Sequence, residues 1–494
     1  MRISLERDAT RDERPVYQQI ADQIRGEIDA SRLEIGARLP TIRDLARELR
    51  VNRDTVAQAY DTLAQAGVLE ATVGRGTFVA SPARANGGAH PFQPVFPPLV
   101  ERLLAFERAR PRFGSAKGAI PLHAVVPDPS LYPHEAFRKA LSRVLARGGP
   151  DLLLYGESQG HLGLRKALAE RLRRAALAVG PEEIVLCHGA SQGISLALRL
   201  FAAPGDAIAL EEPTYNNALA AAHGHGLRPV AVPMRDDGPD LEALGRALSR
   251  PEVKLFYTIP TFHNPLGTTT SLAHRRALLE VARRCGKPVI EDGYEMDLRI
   301  DGRSVPPLAG LDSSGLVVHL FSFSKSLFPG ARVGAITARG PAIDALLALK
   351  HATDLSDSLP LQAAVAELVE NGEYDRHLAR LRRALRVRRD ALLEALEKEM
   401  PEGTRWSTPE GGYQVWVELP GAVDTRDVHS DAIRAGVLFA PGSQFHHDGR
   451  ASSGLRLSFA MAGEAELRRG AQMLGRIVRE RLEGEPRRAA GVHV

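Results

Sequence analysis

Ser322-Phe323-Ser324-Lys325-Ser326-Leu327-Phe328-Pro329-Gly330-Ala331-Arg332 follows directly on a strand-like apolar run, Leu316 to Phe321. A strand that empties into such a loop delivers one amine, several hydroxyls and a guanidinium to one place. Taken alone, a lysine in a serine-rich loop is ordinarily solvated; its surroundings change the reading. Strand-like runs recur along the chain at Ile184-Val185-Leu186, Ala207 to Leu210, Lys254 to Tyr257, Pro288 to Glu291, Val317 to Phe321 and Val333 to Ile336. Helix-patterned stretches lie between them, among them Gly193 to Phe201 and Leu272 to Arg284. This alternation predicts an α/β domain with a mostly parallel sheet covered by helices. In such sheets ligands gather at the carboxyl ends of the strands.

The polar residues expected at those ends form a set. Asp292 closes an apolar strand, and Tyr294 follows two residues on. Asn264 stands in His263-Asn264-Pro265, Tyr215 in Glu212-Pro213-Thr214-Tyr215, and Gly189-Ala190-Ser191-Gln192-Gly193 opens a helix. An amine, an acid, ring-facing donors and a phosphate cup are the parts that pyridoxal phosphate requires. Lys325 would supply the amine for a Schiff base, and burial beside cations would lower its pKa. Asp292 would keep the pyridine nitrogen protonated. Asn264 and Tyr294 would donate to O3′, and Tyr215 would stack on the ring. Ser191 and Gln192 would offer N–H groups to the phosphate, with Ser322, Ser324 and Arg332 completing the cup. Singly, each residue has an ordinary explanation, such as an N-cap for Asp292 or a turn for Asn264. Their joint occurrence in this order carries the reading.

The first eighty residues have a different character. Tyr17, Ile20, Ala21, Ile24 and Ile28 recur at helical spacing. Gly36 to Pro40 breaks that helix, and Thr41 opens a second one with Asp44 three residues on. Arg50 and Val51 make a turn, and Asn52 caps a third helix that Gly67 ends. Two short strands follow, Val68 to Thr72 and Thr77 to Ala80, joined through Val73-Gly74-Arg75-Gly76. Three helices and a wing, with a polar, arginine-bearing start to the third helix, predict a reader of the DNA major groove. The expected DNA-contacting residues are Thr41, Arg43, Arg53, Asp54, Thr55, Gln58 and, at the wing tip, Arg75. A small helical protein-interaction module is the bland alternative.

Composition bounds the rest. A chain of 494 residues exceeds one ordinary core. Hydrophobic content of 44% and charged content of 25% suit a soluble protein. No run approaches the roughly 18 apolar residues of a membrane helix. The polar N-terminus lacks the apolar core of a signal peptide, and Cys187 and Cys285 are the only cysteines, so a reducing cytoplasm is expected. The net charge of +4 says little about nucleic acid. From Pro15 to Val79 eight arginines face nine acidic residues, so DNA contacts must come from local placement. The expected domains are 1–80, a Pro/Gly/Ala-rich tether over 81–118 holding a short helix at Leu99 to Arg110, and an effector domain over 119–484.

The motifs carry resemblances. Leu39-Pro40-Thr41-Ile42-Arg43, Val51-Asn52-Arg53-Asp54-Thr55-Val56 and Gly74-Arg75-Gly76-Thr77-Phe78-Val79 resemble the GntR-type winged helix-turn-helix. From about Leu122 to Leu482 the chain resembles fold-type I, class I/II aminotransferases, through Tyr155-Gly156, His263-Asn264-Pro265, Glu291-Asp292-Gly293-Tyr294, Ser322 to Lys325 and Gly454 to Phe459. That likeness implies a smaller C-terminal subdomain, makes Tyr155 a residue that reaches the cofactor phosphate of a neighbouring subunit, and makes Arg456 the partner of a ligand α-carboxylate. The fusion resembles the MocR/GabR-type regulators. There a head-to-tail homodimer binds double-stranded operator DNA, and its cofactor forms an external aldimine with an amino acid or amine effector. Two alternatives stand beside this: a working aminotransferase carrying a DNA-binding domain, and a sensor of pyridoxal phosphate itself. The family's Asp-Asp-Tyr form reads Asp292-Gly293-Tyr294 here, a departure close to the site.

Overall fold

The computed structural model describes residues 3, 5, 15–30, 32–34, 36–72, 76–80, 95–109, 118–421 and 423–484. The chain divides into two compact units, Met1–Val95 and Phe96–Val494.

In the first unit the helix Val16–Asp29 turns Ile20, Ala21 and Ile24 inward. The Thr41 hydroxyl accepts the Asp44 N–H at 3.2 Å and caps Ile42–Leu49. Arg50 ends that helix in the left-handed region, φ 52°. Asn52 then caps Arg53–Gln65 by accepting the Asp54 N–H at 3.2 Å. Leu45, Val56, Ala59 and Leu63 meet the first helix in one core. The strands Leu69–Thr72 and Gly76–Val79 pair antiparallel. The segment read from sequence as a mere break is bonded along the wing, through an isolated antiparallel bridge between Arg38 and Phe78. Leu39 N–H donates to Thr77 O, and Val79 N–H to Ala37 O, both at 2.9 Å. Gly76–Val79 offers a second edge of backbone donors and acceptors, and residues 36–39 satisfy it.

In the second unit eight strands form one sheet. Their order is Ile184–Cys187, Gly334–Thr337, Val317–Ser322, Val289–Asp292, Val253–Thr258, Ala207–Glu212, Arg228–Arg235 and Gly238–Pro239. The contacts from Val317–Ser322 through to Arg228–Arg235 are parallel. Gly334–Thr337 runs antiparallel to both its neighbours. Ile184–Cys187, Val289–Asp292, Val317–Ser322 and Gly334–Thr337 are buried along their whole length, as expected where helices cover both faces. Arg228–Arg235 escaped the sequence reading because its burial is incomplete and two prolines interrupt it. A smaller antiparallel sheet orders Arg405–Trp406, Gln414–Glu418, Gly454–Ser458 and Ala440–Pro441. The long helices Glu373–Glu399 and Glu464–Gly484 pack on one another beside it. The helix expected inside the tether spans Pro98–Ala109 and packs on Asn216–Gly224, with Phe106 and His223 rings 5.7 Å apart. It belongs to the second compact unit.

Candidate functional site

The strand Val317–Ser322 delivers Lys325 to the carboxyl edge of the large sheet. Lys325 Nζ donates to Val125 O at 2.8 Å, and the Tyr413 hydroxyl donates to Lys325 O. Burial lowers the amine to about 8. Glu295 opposes that shift, and Arg456 and Arg332 reinforce it. An amine so tuned is neutral far more often at neutral pH than a solvated lysine.

The helix expected to start at Gly193 starts at Gly189, so Ser191 and Gln192 lie in its first turn. The N–H groups of that turn have no partner within the helix and favour an anion. Gly189 has φ 74°. A Cβ on it would stand 3.2 Å from Arg332 Nη1 and 3.3 Å from Ser324 Oγ. Ser324 Oγ is buried without a hydrogen-bond partner, and Arg332 Nη2 donates to His188 O at 2.7 Å. Ser322 Oγ accepts the Ser324 N–H at 3.2 Å and fixes the loop. A helix N-terminus, an orphaned hydroxyl and a guanidinium around one glycine fit a phosphate. The Gln192 side chain is committed elsewhere: Oε1 accepts the His188 N–H at 2.7 Å and Nε2 donates to Asp354 at 2.6 Å. Only its backbone is left for the cup.

Asp292 ends its strand fully buried. One oxygen accepts from the Tyr257 hydroxyl at 2.7 Å and the other from the Tyr294 N–H at 3.2 Å. Burial pushes the carboxyl up to about 6 despite both bonds. A protonated ring nitrogen at this position would offset that desolvation. Glu291, one residue earlier and on the opposite face, instead accepts the N–H groups of Leu308 and Ala309, with His319 Nδ1 at 3.1 Å. Tyr215 and Tyr294 lie with parallel rings, centroids 6.2 Å apart. Asn217 donates to the Tyr215 hydroxyl and Gln414 to that of Tyr294, each at 2.8 Å.

Arg456, on Gly454–Ser458, is buried. Its Nη1 donates to Asn264 Oδ1 and its Nη2 to His123 O, both at 3.0 Å. Its guanidinium lies over the Phe445 ring, and its Nε has no partner. Burial lowers its pKa to about 10. Tyr155 stands apart from this group, 85% exposed beside exposed Leu153 and Leu154.

The DNA candidates lie where the helix reading put them. Thr41, Arg43, Arg53, Asp54 and Gln58 are exposed, and Thr55 is half-buried. Arg75 lies outside the described residues. Arg38, which sequence reasoning passed over, is exposed with its guanidinium against Gly76 of the wing.

Further residues of the site went unread. Tyr257 could have been found, since a tyrosine ending an apolar strand must place its hydroxyl. Glu295, Tyr413 and Gln414 gave weaker signals, and Val125 none, because it acts through its carbonyl.

The comparisons follow the two compact units. The profile of aminotransferase class I and II matches residues 127–474, and that of bacterial regulatory proteins of the gntR family matches 16–79. The chain is 30% identical to the probable rhizopine catabolism regulatory protein MocR of Rhizobium meliloti, over 90% of each chain. It is 35% identical to aromatic-amino-acid aminotransferase 1 of Thermococcus litoralis, over 74% of this chain and 89% of that one. Its fold matches LysN, the α-aminoadipate aminotransferase of Thermus thermophilus complexed with N-(5′-phosphopyridoxyl)-L-leucine, with TM-score 0.72 and 32% identity. That match covers 78% of this chain and 98% of LysN. Among the described residues no helix is long and apolar enough to cross a membrane. The chain therefore belongs to the GntR/MocR-type transcriptional regulators, in which a gntR-family DNA-binding domain is fused to a class I/II aminotransferase domain.

Proposed function

We propose that this regulator holds pyridoxal phosphate on Lys325 and reads an amino acid or amine that takes the place of Lys325 on the cofactor. The reading rests on one observation above the others: Gly189, Ser324 and Arg332 converge on a cup beside an amine lowered to about 8. When bound, the cofactor supplies an aldehyde that condenses reversibly with a primary amine. The protein does the rest. Ser324, Arg332 and the first turn of Gly189–Phe201 hold the phosphate. Asp292 holds a proton at the ring nitrogen. Tyr215 and Tyr294 bound the ring, and Asn264 reaches its phenolic oxygen. Arg456 orients an incoming α-carboxylate. Exposed Leu153, Leu154 and Tyr155 suit a homodimer interface in which Tyr155 completes the partner's phosphate cup, with the two subunits head to tail. Arg43, Arg53 and the wing would then meet operator DNA in two half-sites.

A working aminotransferase is the second reading, favoured by relatives that carry that activity in their names. An absorbance scan of the cofactor-loaded protein against amino acids and amines separates the two. A band that shifts with one compound and holds supports a sensor. A band that bleaches and recovers with a keto acid supports turnover. Operator affinity that responds to the cofactor alone would instead make the cofactor the signal.

A further inference from the structure

A cavity of about 420 Å³ is lined in part by Asp292. Among the candidate cofactor residues, only Asp292 lines it. Its wall holds Arg171, Arg174, Arg299 and Arg382, together with His319 and Gly293. The volume suits a small molecule.

The charges on this wall are unevenly committed. Arg171 pairs with Asp297 at 2.8 Å and Asp375 at 2.7 Å. Glu291 is taken by two backbone N–H groups and His319, and Asp292 by Tyr257 and its own turn. Arg299 pairs with Glu410. Among the described residues Arg382 meets no carboxylate; it donates only to the Asp297 carbonyl. Arg174 has one loose contact, 3.4 Å to the exposed Glu170. Four carboxylates balance the four arginines of the wall in number, but the guanidiniums of Arg382 and Arg174 are its least committed charges. His319 adds a second observation. It is 1% exposed, and its Nε2 has no hydrogen-bond partner. A buried ring nitrogen without a partner is costly unless something in the cavity meets it. Gly293 makes room for that ring, since a Cβ there would fall 2.5 Å from His319 Cε1. An aspartate in its place, as in the Asp-Asp-Tyr form, would not fit beside this histidine.

We propose that this cavity is a second ligand site, taking a small oxyanion that keeps a hydroxyl, such as hydrogen phosphate. Arg382 and Arg174 donate to its oxygens, and its hydroxyl donates to His319 Nε2, since Nδ1 gives its proton to Glu291. It abuts the cofactor machinery twice. Gly293 joins it to Asp292. On the other side the Tyr374 hydroxyl bridges Asp297 at 2.8 Å and Ser326 Oγ at 2.6 Å, and Ser326 is the neighbour of Lys325.

The test is calorimetric titration of the full-length, cofactor-loaded protein with inorganic phosphate and, separately, with succinate. Saturable binding is expected on the order of 1 mM or tighter. Arg174→Ala and Arg382→Gln should each weaken it by about tenfold. Arg174 is exposed, so its variant tests the site without burdening the fold. Phosphate, which carries a hydroxyl at neutral pH, should bind tighter than succinate, which carries none; the reverse order would overturn the part given to His319. No saturable heat with either probe, or wild-type binding in both variants, would overturn the proposal.

Discussion

Arg456 Nη1 donates to Asn264 Oδ1 at 3.0 Å across 192 positions of sequence. The pair ties the small sheet to the carboxyl edge of the large one, and it leaves a buried guanidinium with an unpartnered Nε. A carboxylate arriving there would meet a cation already stripped of water, where charge-assisted hydrogen bonds count most. Arg456→Gln should weaken an α-amino acid effector by about 2–5 kcal/mol, roughly thirtyfold or more. An amine without a carboxylate should bind as before. Titrations of matched amino acid and amine pairs decide this; equal losses for both would assign Arg456 to structure alone.

Lys325→Ala should abolish covalent attachment of pyridoxal phosphate. Borohydride reduction followed by mass spectrometry should find no modified lysine, and the visible band of the attached cofactor should disappear. The fold should survive within about 1 kcal/mol, since Nζ makes a single hydrogen bond, to Val125 O. Attachment persisting in the variant would move the reactive amine to another residue.

The attachment rate should depend on pH through Lys325. Only the neutral amine attacks an aldehyde, and burial holds this one at about 8 rather than 10.5. The rate should therefore rise as pH increases and level off above an inflection near 8. Glu295 favours the protonated amine, so Glu295→Gln should move the inflection to lower pH. A stopped-flow series on wild type and variant reads both values; an inflection that moves upward would contradict the geometry.

Gly189→Ala tests the phosphate cup. The backbone there is left-handed, φ 74°, and the new Cβ would press on Arg332 Nη1 at 3.2 Å and Ser324 Oγ at 3.3 Å. Strain of about 1 kcal/mol is expected from the backbone alone. Loss of cofactor affinity should exceed loss of stability. Equilibrium dialysis against pyridoxal phosphate, set beside a thermal melt, separates the two.

Arg43 and Arg53 are exposed at the starts of their helices, so removing either should leave the helical core intact. Each variant should lower operator affinity. If the lost contact is to phosphate, the slope of log affinity against log salt should shrink by about 1. An unchanged slope with relaxed sequence preference would instead assign the residue to a base edge.

Much of this was legible in the chain. The caps at Thr41 and Asn52, the strand ends at Asp292 and Ser322, and the lysine loop are short-range features, written in neighbouring residues and their period. The GntR-like and aminotransferase-like motifs are contiguous for the same reason. Partner choice was not legible. The sequence offered the Gln192 N–H to the phosphate but gave no sign that its side chain turns to His188 and Asp354. It made residues 36–40 a break, yet 36–39 fill a sheet edge. Tyr257 reaches Asp292 only because parallel strands 35 residues apart are in register. The Asn264–Arg456 pair and the cavity behind Gly293 likewise exist only once distant segments pack. Local periodicity and capping decide what each segment becomes, because they are settled within a turn or a few residues. Which buried polar group meets which is settled by long-range packing, where each must find a partner among whatever the fold brings within about 3 Å.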